Sequence, residues 1–113
     1  MATGSMKKQF DDISITLDNG ITRRAASGYV AGKLVGFSLE VQLTASVNTW
    51  KKLGTITPVP NIITGTSIKA PCCYTGNGSY IGMVEITTSG EIRLYPTTAL
   101  SSGSIAFSIA YGT

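Results

Sequence analysis

Large apolar residues alternate with small or polar ones along most of the chain, the period-two pattern of half-buried β-strands. The longest alternating segment spans residues 34–45, where Val35, Phe37, Leu39, Val41 and Leu43 share one face. Glycine, serine, glutamate and glutamine fill the other face of this segment. No segment of useful length has the 3.6-residue period of a helix. The pattern therefore predicts an all-β fold.

Three further alternating runs lie near the C-terminus, at residues 80–87, 91–95 and 105–111. Ser89 and Gly90 separate the first two runs, and Gly90 suits a hairpin position with positive φ. Residues 96–103 form a looser link to the third run. We expect the three runs to pair in order as an antiparallel meander. In it, Glu85 and Glu91 occupy the outer, solvated face as cross-strand neighbours.

Residues 10–17 also alternate, and Asp18-Asn19-Gly20 follows them. Asn-Gly between apolar alternations predicts a type I′ hairpin, with residues 21–25 as the returning strand. Arg23 and Arg24 are neighbours in that strand and so point to opposite faces. Either the strand frays at an edge and both are solvated, or one of them meets the core or a partner chain. Ser27-Gly28 and Ala31-Gly32 are expected to break the next segment.

Residues 57–66 contain Pro58 and Pro60, which exclude a central strand and predict a loop across one end of the fold. Residues 67–74 read as another strand, in which Pro71 marks an edge or a bulge. The sequence thus predicts a compact antiparallel β-barrel or sandwich of about seven or eight strands. Its predicted core includes Phe37, Leu39, Val41, Ile92, Leu94, Phe107 and Ile109.

The composition favours one small domain with few charges. The chain has 113 residues, of which 13% are charged, with a formal net charge of +3. Its basic residues are scattered and not interleaved with aromatic ones, so we expect no nucleic-acid binding. No apolar run reaches the roughly 18 residues of a membrane helix, so we expect no membrane insertion. Strands rich in serine, threonine and alanine on the second face suit a close contact between subunits.

Catalysis, metals and cofactors find little support in the sequence. There is no histidine, and the two cysteines, Cys72 and Cys73, are adjacent, which disfavours a bond between them. We expect one to face inward and one outward on a strand, as free thiols of a chain folded in a reducing cytoplasm. The few carboxylates show no convincing glycosidase pair, and no nucleophile has a base. We therefore expect no enzyme, no metal and no cofactor.

Saccharide binding would need an exposed aromatic ring beside groups that bond to hydroxyls. Arg93 and Tyr95 share the outer face of one strand by the period-two rule, and Trp50 is the only tryptophan. Core packing of Trp50, and a subunit contact or a solvated face for the other two, remain alternatives. Tyr111 is expected in the core. The candidate ligand-binding residues are Trp50, Arg93, Tyr95, Tyr74, Asn77 and Tyr80.

The order of these pieces resembles a known family. An Asn-Gly turn and a long apolar strand precede the segment WKKLGTI at residues 50–56 and a proline-containing loop. Residues 84–95, VEITTSGEIRLY, and 103–111, GSIAFSIAY, follow. Over about residues 10–113 the chain resembles the C-terminal head domain of phage tail-fibre and baseplate receptor-binding proteins. Phages and prophages of Gram-positive hosts, including lactococcal ones, carry similar heads. The positions that carry the resemblance are Gly54, Pro58, Pro60, Gly90, Ile92 and Leu94.

The resemblance implies a homotrimer of β-barrels at a fibre tip that binds host cell-wall saccharides and contacts other baseplate or fibre proteins. It implies a location in the virion, at the tail tip or baseplate, after synthesis in the host cytoplasm. It transfers no individual binding residue. We expect residues 1–9 to be a cloning remnant and a loose N-terminus, and residues 10–113 to be the head, either excised or a small separate tip protein. A structural baseplate or fibre trimer without a ligand is the alternative.

Overall fold

A computed structural model describes residues 13–62 and 67–113 of the chain. These residues form one sheet of eight strands in the order β1-β4-β7-β6-β5-β8-β3-β2, and every neighbouring pair is antiparallel. The sheet curls into a nearly closed barrel, which confirms the predicted all-β class. The strands are β1 Ser14–Leu17, β2 Thr22–Ala31, β3 Leu34–Ala45, β4 Lys51–Thr57, β5 Ile68–Tyr74, β6 Tyr80–Ile86, β7 Glu91–Pro96 and β8 Leu100–Gly112.

Alternation along the strands builds the core of the barrel as predicted. In β3 the five apolar residues from Val35 to Leu43 are all buried, and Ile92 and Leu94 of β7 are completely enclosed. Tyr111 is also buried, and its hydroxyl donates a 2.8 Å hydrogen bond to the carbonyl oxygen of Pro58. All seven predicted core residues are confirmed. Full burial of one large aliphatic side chain contributes about 1.5–3 kcal/mol, so this interior is the main source of stability.

The predicted Asn-Gly hairpin is wrong, although the turn exists. Ile21 N donates to Asp18 O at 3.2 Å, and Gly20 has φ +86°. Asn19 does not share the positive φ that a type I′ turn requires at both central positions. β1 pairs with β4 and β2 pairs with β3, so the turn joins the two edge strands across the seam of the barrel. Both segments form strands as predicted, but alternation does not specify the neighbouring strand.

A β-bulge resolves the position of the two neighbouring arginines in edge strand β2. The register with β3 shifts between Arg23 and Ala25, and the extra residue allows Arg23 and Arg24 both to be exposed. The predicted break at Ser27-Gly28 does not occur, because β2 continues to Ala31. Gly28 instead serves a close approach: a Cβ there would lie 2.9 Å from the Cβ of Phe37.

The predicted C-terminal meander is confirmed for its first two strands and wrong for its third. β6 and β7 form the predicted hairpin, with Gly90 at φ +85° in its turn. β8, however, does not pair with β7; it lies between β5 and β3. It also starts at Leu100, within the predicted link, because its N-terminal part follows β3 to a register shift near Ala45. A long apolar strand gains most by pairing along its whole length with another long one, and β3 provides this partner.

Strand β5 lies between β6 and β8 and is not an edge strand. The irregularity predicted at Pro71 is confined to the residues next to it. The ladder between β5 and β8 covers only Cys73 and Tyr74, so Pro71 lies beyond it. The register with β6 shifts between Cys72 and Cys73. Cys72 is buried, Cys73 is half-buried, and both are free thiols, as predicted.

Several predictions fall outside the described residues. These are the start of the first strand at residues 10–12, the loose N-terminus at residues 1–9 and residues 63–66 of the proline loop. Within the described part of the chain, no helix is long and apolar enough to cross a membrane.

Candidate functional site

Four neighbouring strands place a row of charged side chains on one outer side of the barrel. The register pairs Lys52 of β4 with Arg93 of β7, Arg93 with Glu85 of β6, and Glu85 with Lys69 of β5. Their side chains point outward because the residues on either side of them in β6 and β7 point into the core. We call this side of the barrel, together with Trp50 and Tyr95, the charged face.

Trp50, Arg93 and Tyr95, the three leading candidates, meet on the charged face. Trp50 immediately precedes β4, and because Lys51 pairs with Leu94, the register places Trp50 opposite Tyr95. The Trp50 and Tyr95 ring centroids are 5.0 Å apart at an interplanar angle of 53°. The guanidinium carbon of Arg93 lies 4.7 Å from the Trp50 ring centroid, a cation–π contact. Trp50 is 41% exposed, so the alternative of core packing does not apply.

Glu85 is the buried charge beneath this cluster and was not predicted as such. It lies on the outer side of β6 but is only 4% exposed, so the expectation that it is solvated is wrong. Its Oε1 accepts a 2.6 Å hydrogen bond from Ser67 Oγ and lies 3.8 Å from Lys69 Nζ. Its Oε2 accepts a 3.0 Å hydrogen bond from Arg93 Nε and a second bond from Arg93 Nη2. Side chains from both neighbouring strands therefore cover the carboxylate.

These contacts determine the charge state of Glu85. Burial alone would raise the pKa of its carboxyl, because a charged group loses its hydration. The hydrogen bonds from Ser67 and Arg93, together with the positive charges of Arg93 and Lys69, outweigh burial and lower the pKa below its ordinary value. Glu91, which was expected beside Glu85, also contacts Arg93: its Oε1 lies 3.6 Å from Arg93 Nε. Glu85 therefore stays ionised at neutral pH and holds Arg93 by charge-assisted hydrogen bonds.

A cavity of about 390 Å³ opens beside Trp50. Thr44, Ser46, Thr49, Trp50 and Lys51 are among the residues that line it. An aromatic surface with a few hydroxyls and one cation is the combination that small polar ligands require. No pattern in the sequence selects these wall residues: Thr44 lies near the end of β3, Ser46 and Thr49 lie in the loop after it, and Lys51 begins β4. Ala99, just before β8, and Leu100, its first residue, also line the cavity.

The other three candidates lie on the β5–β6 connection. Tyr80 is 53% exposed at the start of β6, whereas Tyr74 is half-buried against the core with its ring beside Gly103. Asn77 lies in the turn, where its Oδ1 accepts hydrogen bonds from Ser79 N at 3.0 Å and Ser79 Oγ at 2.8 Å. All strand pairs are antiparallel, so this turn lies at the same end of the barrel as the Trp50 loop. In the described part of the chain, no hydrogen bond, ion pair or aromatic contact joins these three residues to the Trp50 cluster.

The outer side of β2, β3 and β8 differs sharply from the charged face. It presents mainly small residues, and Ser38 and Ser108 are joined across β3 and β8 by a 2.6 Å hydrogen bond between their hydroxyls. Two shallow depressions of about 500 and 620 Å³ lie on it, larger than the cavity at Trp50. None of the six candidate residues lines either depression. We call this side the small-residue face; it comprises Ser27, Tyr29, Gly36, Ser38, Ala106, Ser108 and Ala110, with Glu40 at its edge beside Ala106.

No family model, curated protein or solved structure matches the chain.

Proposed function

We propose that this domain is a phage receptor-binding head that recognises host cell-wall saccharides. The observation that supports the proposal is the exposed Trp50 ring, which contacts Tyr95 and Arg93 and lines a cavity together with Thr44, Ser46 and Thr49. The face of an aromatic ring stacks on the C–H surface of a sugar, and the neighbouring polar groups bond to its hydroxyls. The sequence resemblance to phage receptor-binding heads supports the same function.

Arg93 has a different part in this proposal from the one that the sequence suggested. With all its guanidinium N–H groups unpaired, Arg93 would donate hydrogen bonds directly to sugar hydroxyls or to a phosphate. Two of its nitrogens are instead directed at Glu85, so its main contribution is to hold the Trp50 ring. Trp50 and Tyr95 then supply the stacking surface, and Lys51 and the hydroxyls of the cavity wall supply the polar contacts.

A glycan array that includes bacterial wall saccharides, followed by sedimentation with purified lactococcal cell walls, tests the proposal. We expect the parent domain to bind at least one saccharide or the walls. Substitutions Trp50→Ala and Tyr95→Ala should each weaken binding by about 1–2 kcal/mol, the effect of removing an aromatic anchor. Absence of binding by the parent in both assays contradicts the proposal.

We also propose that the domain assembles as a homotrimer through the small-residue face. Small side chains let two sheets approach closely, and the paired Ser38 and Ser108 hydroxyls are neutral groups whose burial costs little. Light scattering at micromolar concentration should give about three chain masses. Ser108→Arg should dissociate the trimer, whereas Lys52→Glu on the charged face should leave it intact. A monomer at every concentration contradicts the assembly.

A purely structural trimer without a ligand makes the opposite prediction for the aromatic residues. In such an assembly the Trp50 ring, 41% exposed in the single chain, would be buried against a neighbouring subunit. Quenching of tryptophan fluorescence by acrylamide distinguishes the two, because Trp50 is the only tryptophan of the chain. Ready quenching in the assembled protein favours the saccharide-binding head.

A further inference from the structure

Among the described residues, Glu85 is the one buried side chain that carries a charge. Burying a carboxylate costs several kcal/mol unless it is paired and hydrogen-bonded. Both oxygens of Glu85 have partners, and no buried side-chain nitrogen or oxygen in the described part of the chain lacks one. The carboxylate thus belongs to a network with Ser67, Lys69 and Arg93 on the outer side of β6.

Arg93 lies between this carboxylate and the Trp50 ring. Its Nε and Nη2 are directed at Glu85 Oε2, which fixes the plane of the guanidinium group. The same group lies 4.7 Å from the centre of the Trp50 ring. An arginine at the surface has several side-chain conformations, and only those near the ring can hold it. The ion pair with Glu85 selects such a conformation before any ligand arrives.

Trp50 depends on this support because it precedes its strand and belongs to no ladder. The preceding loop turns sharply at Asn48, which has φ +54°. The ring contacts that fix Trp50 are those with Tyr95 and Arg93. A ring held in its binding orientation avoids the entropy cost of ordering during association, so support by Arg93 raises affinity without a new contact to the ligand.

We propose that Glu85 is a positioning residue of the saccharide site, which holds Arg93 against Trp50 and so orients the stacking ring. This inference rests on the proposed function for its effect on binding. Its structural part, the chain of contacts from Glu85 through Arg93 to Trp50, can be measured without a ligand. Fluorescence of the single tryptophan reports the environment of this ring directly.

The experiment compares acrylamide quenching of Trp50 in the parent and in Glu85→Gln, Arg93→Ala and the double variant. Glu85→Gln keeps the size of the side chain and removes its charge. We expect it to increase the quenching constant in the same direction as Arg93→Ala. Because Glu85 acts through Arg93, the double variant should quench like Arg93→Ala alone. Glu91→Gln is the matched control, since Glu91 lies 3.6 Å from Arg93 and makes no hydrogen bond with it in the structure.

Binding to the saccharide or cell walls identified with the parent provides the second readout. Glu85→Gln should bind about tenfold more weakly, equal to ~1.4 kcal/mol, while Glu91→Gln binds as the parent does. A folded Glu85→Gln domain with the quenching constant of the parent overturns the inference. Matching shifts in Glu85→Gln and Arg93→Ala, with no saccharide bound by any protein, uphold the contact chain and reject the proposed function. If Glu85→Gln does not fold, Glu85→Asp, which withdraws the carboxylate by one methylene, must show the same increase in quenching.

Discussion

The barrel carries two contrasting outer faces over one shared core. On the charged face, long side chains of β5, β6 and β7 bond to one another and enclose Glu85. On the small-residue face, alanine, serine and glycine leave the backbone close to the surface, and Tyr29 lies directly over Gly36. Both faces obey the same alternation, so alternation fixes only which residues point outward. The chemistry of the outward residues is what distinguishes the two faces.

Two glutamates make this contrast quantitative. Glu85 on the charged face and Glu40 on the opposite side both lie outside the barrel beside an arginine. Glu40 is half-exposed, with Oε2 3.3 Å from Nε of the exposed Arg24. Glu85 is enclosed by partners from two neighbouring strands. The same residue type thus forms a solvent-screened pair on one face and a desolvated network on the other.

Neutralising these two glutamates should give the largest difference between the faces. Glu85→Gln should lower the free energy of unfolding by about 1.5–3 kcal/mol, because charge-assisted bonds to a buried group are lost. Glu40→Gln should lower it by at most about 1 kcal/mol, since its pair is screened by water. Urea unfolding of both variants measures this difference. Equal losses in the two variants would contradict the contrast.

The stabilising effect of the Glu85 charge should also depend on pH. The pKa of Glu85 is lower in the fold than in the unfolded chain, where it is about 4.3. Its ionised form therefore stabilises the protein fully above that pH, and this contribution is lost as the pH falls through the lower folded pKa. The difference in urea midpoint between the parent and Glu85→Gln should be constant from about pH 5 to 8 and shrink below about pH 4. A difference that grows toward acid would show that Arg93 and Lys69 do not stabilise the charge.

The adjacent cysteines should differ in thiol reactivity, because Cys72 points into the core and Cys73 points outward. Burial, with a smaller contribution from the charge of Cys73, raises the pKa of the Cys72 thiol to about 12. Cys73 is half-buried and lines the larger depression of the barrel surface. Iodoacetamide at about pH 8 should therefore modify Cys73 and spare Cys72, as read by peptide mass spectrometry. Faster modification of Cys72 would contradict the assigned register of β5.

The sequence predicted which residues point inward more reliably than which strands are neighbours. Alternation in β3, β7 and β8 identified the buried face, because burial follows the period of a strand. It could not assign β8 to β3 or β1 to β4, since pairing joins residues far apart in the chain. The bulge at Arg24 was also out of reach, although two adjacent arginines signalled an irregularity.

The same holds for the candidate site: contacts within one strand were predictable from the sequence, and contacts between strands were not. Arg93 and Tyr95 were placed together correctly because they belong to one strand. The contact of Trp50 with both depends on the pairing of β4 with β7, and the burial of Glu85 depends on Ser67, eighteen positions earlier in the chain. The alternation of β6 predicts a solvated Glu85, because its position in the period is an outward one. When side chains from other strands cover an outward position, the sequence around that position does not reveal its burial.

The measurement that tests the account most directly compares one exposed aromatic residue from each face. Trp50 is 41% exposed on the charged face, and Tyr29 is 38% exposed on the small-residue face. Each is replaced by alanine, and binding to the saccharide or cell walls is measured together with the melting temperature. We predict that Trp50→Ala loses about tenfold in affinity, equal to ~1.4 kcal/mol, and melts near the parent temperature, while Tyr29→Ala keeps its affinity. Unchanged binding by a folded Trp50→Ala domain, or loss of binding only in Tyr29→Ala, would contradict a saccharide site on the charged face.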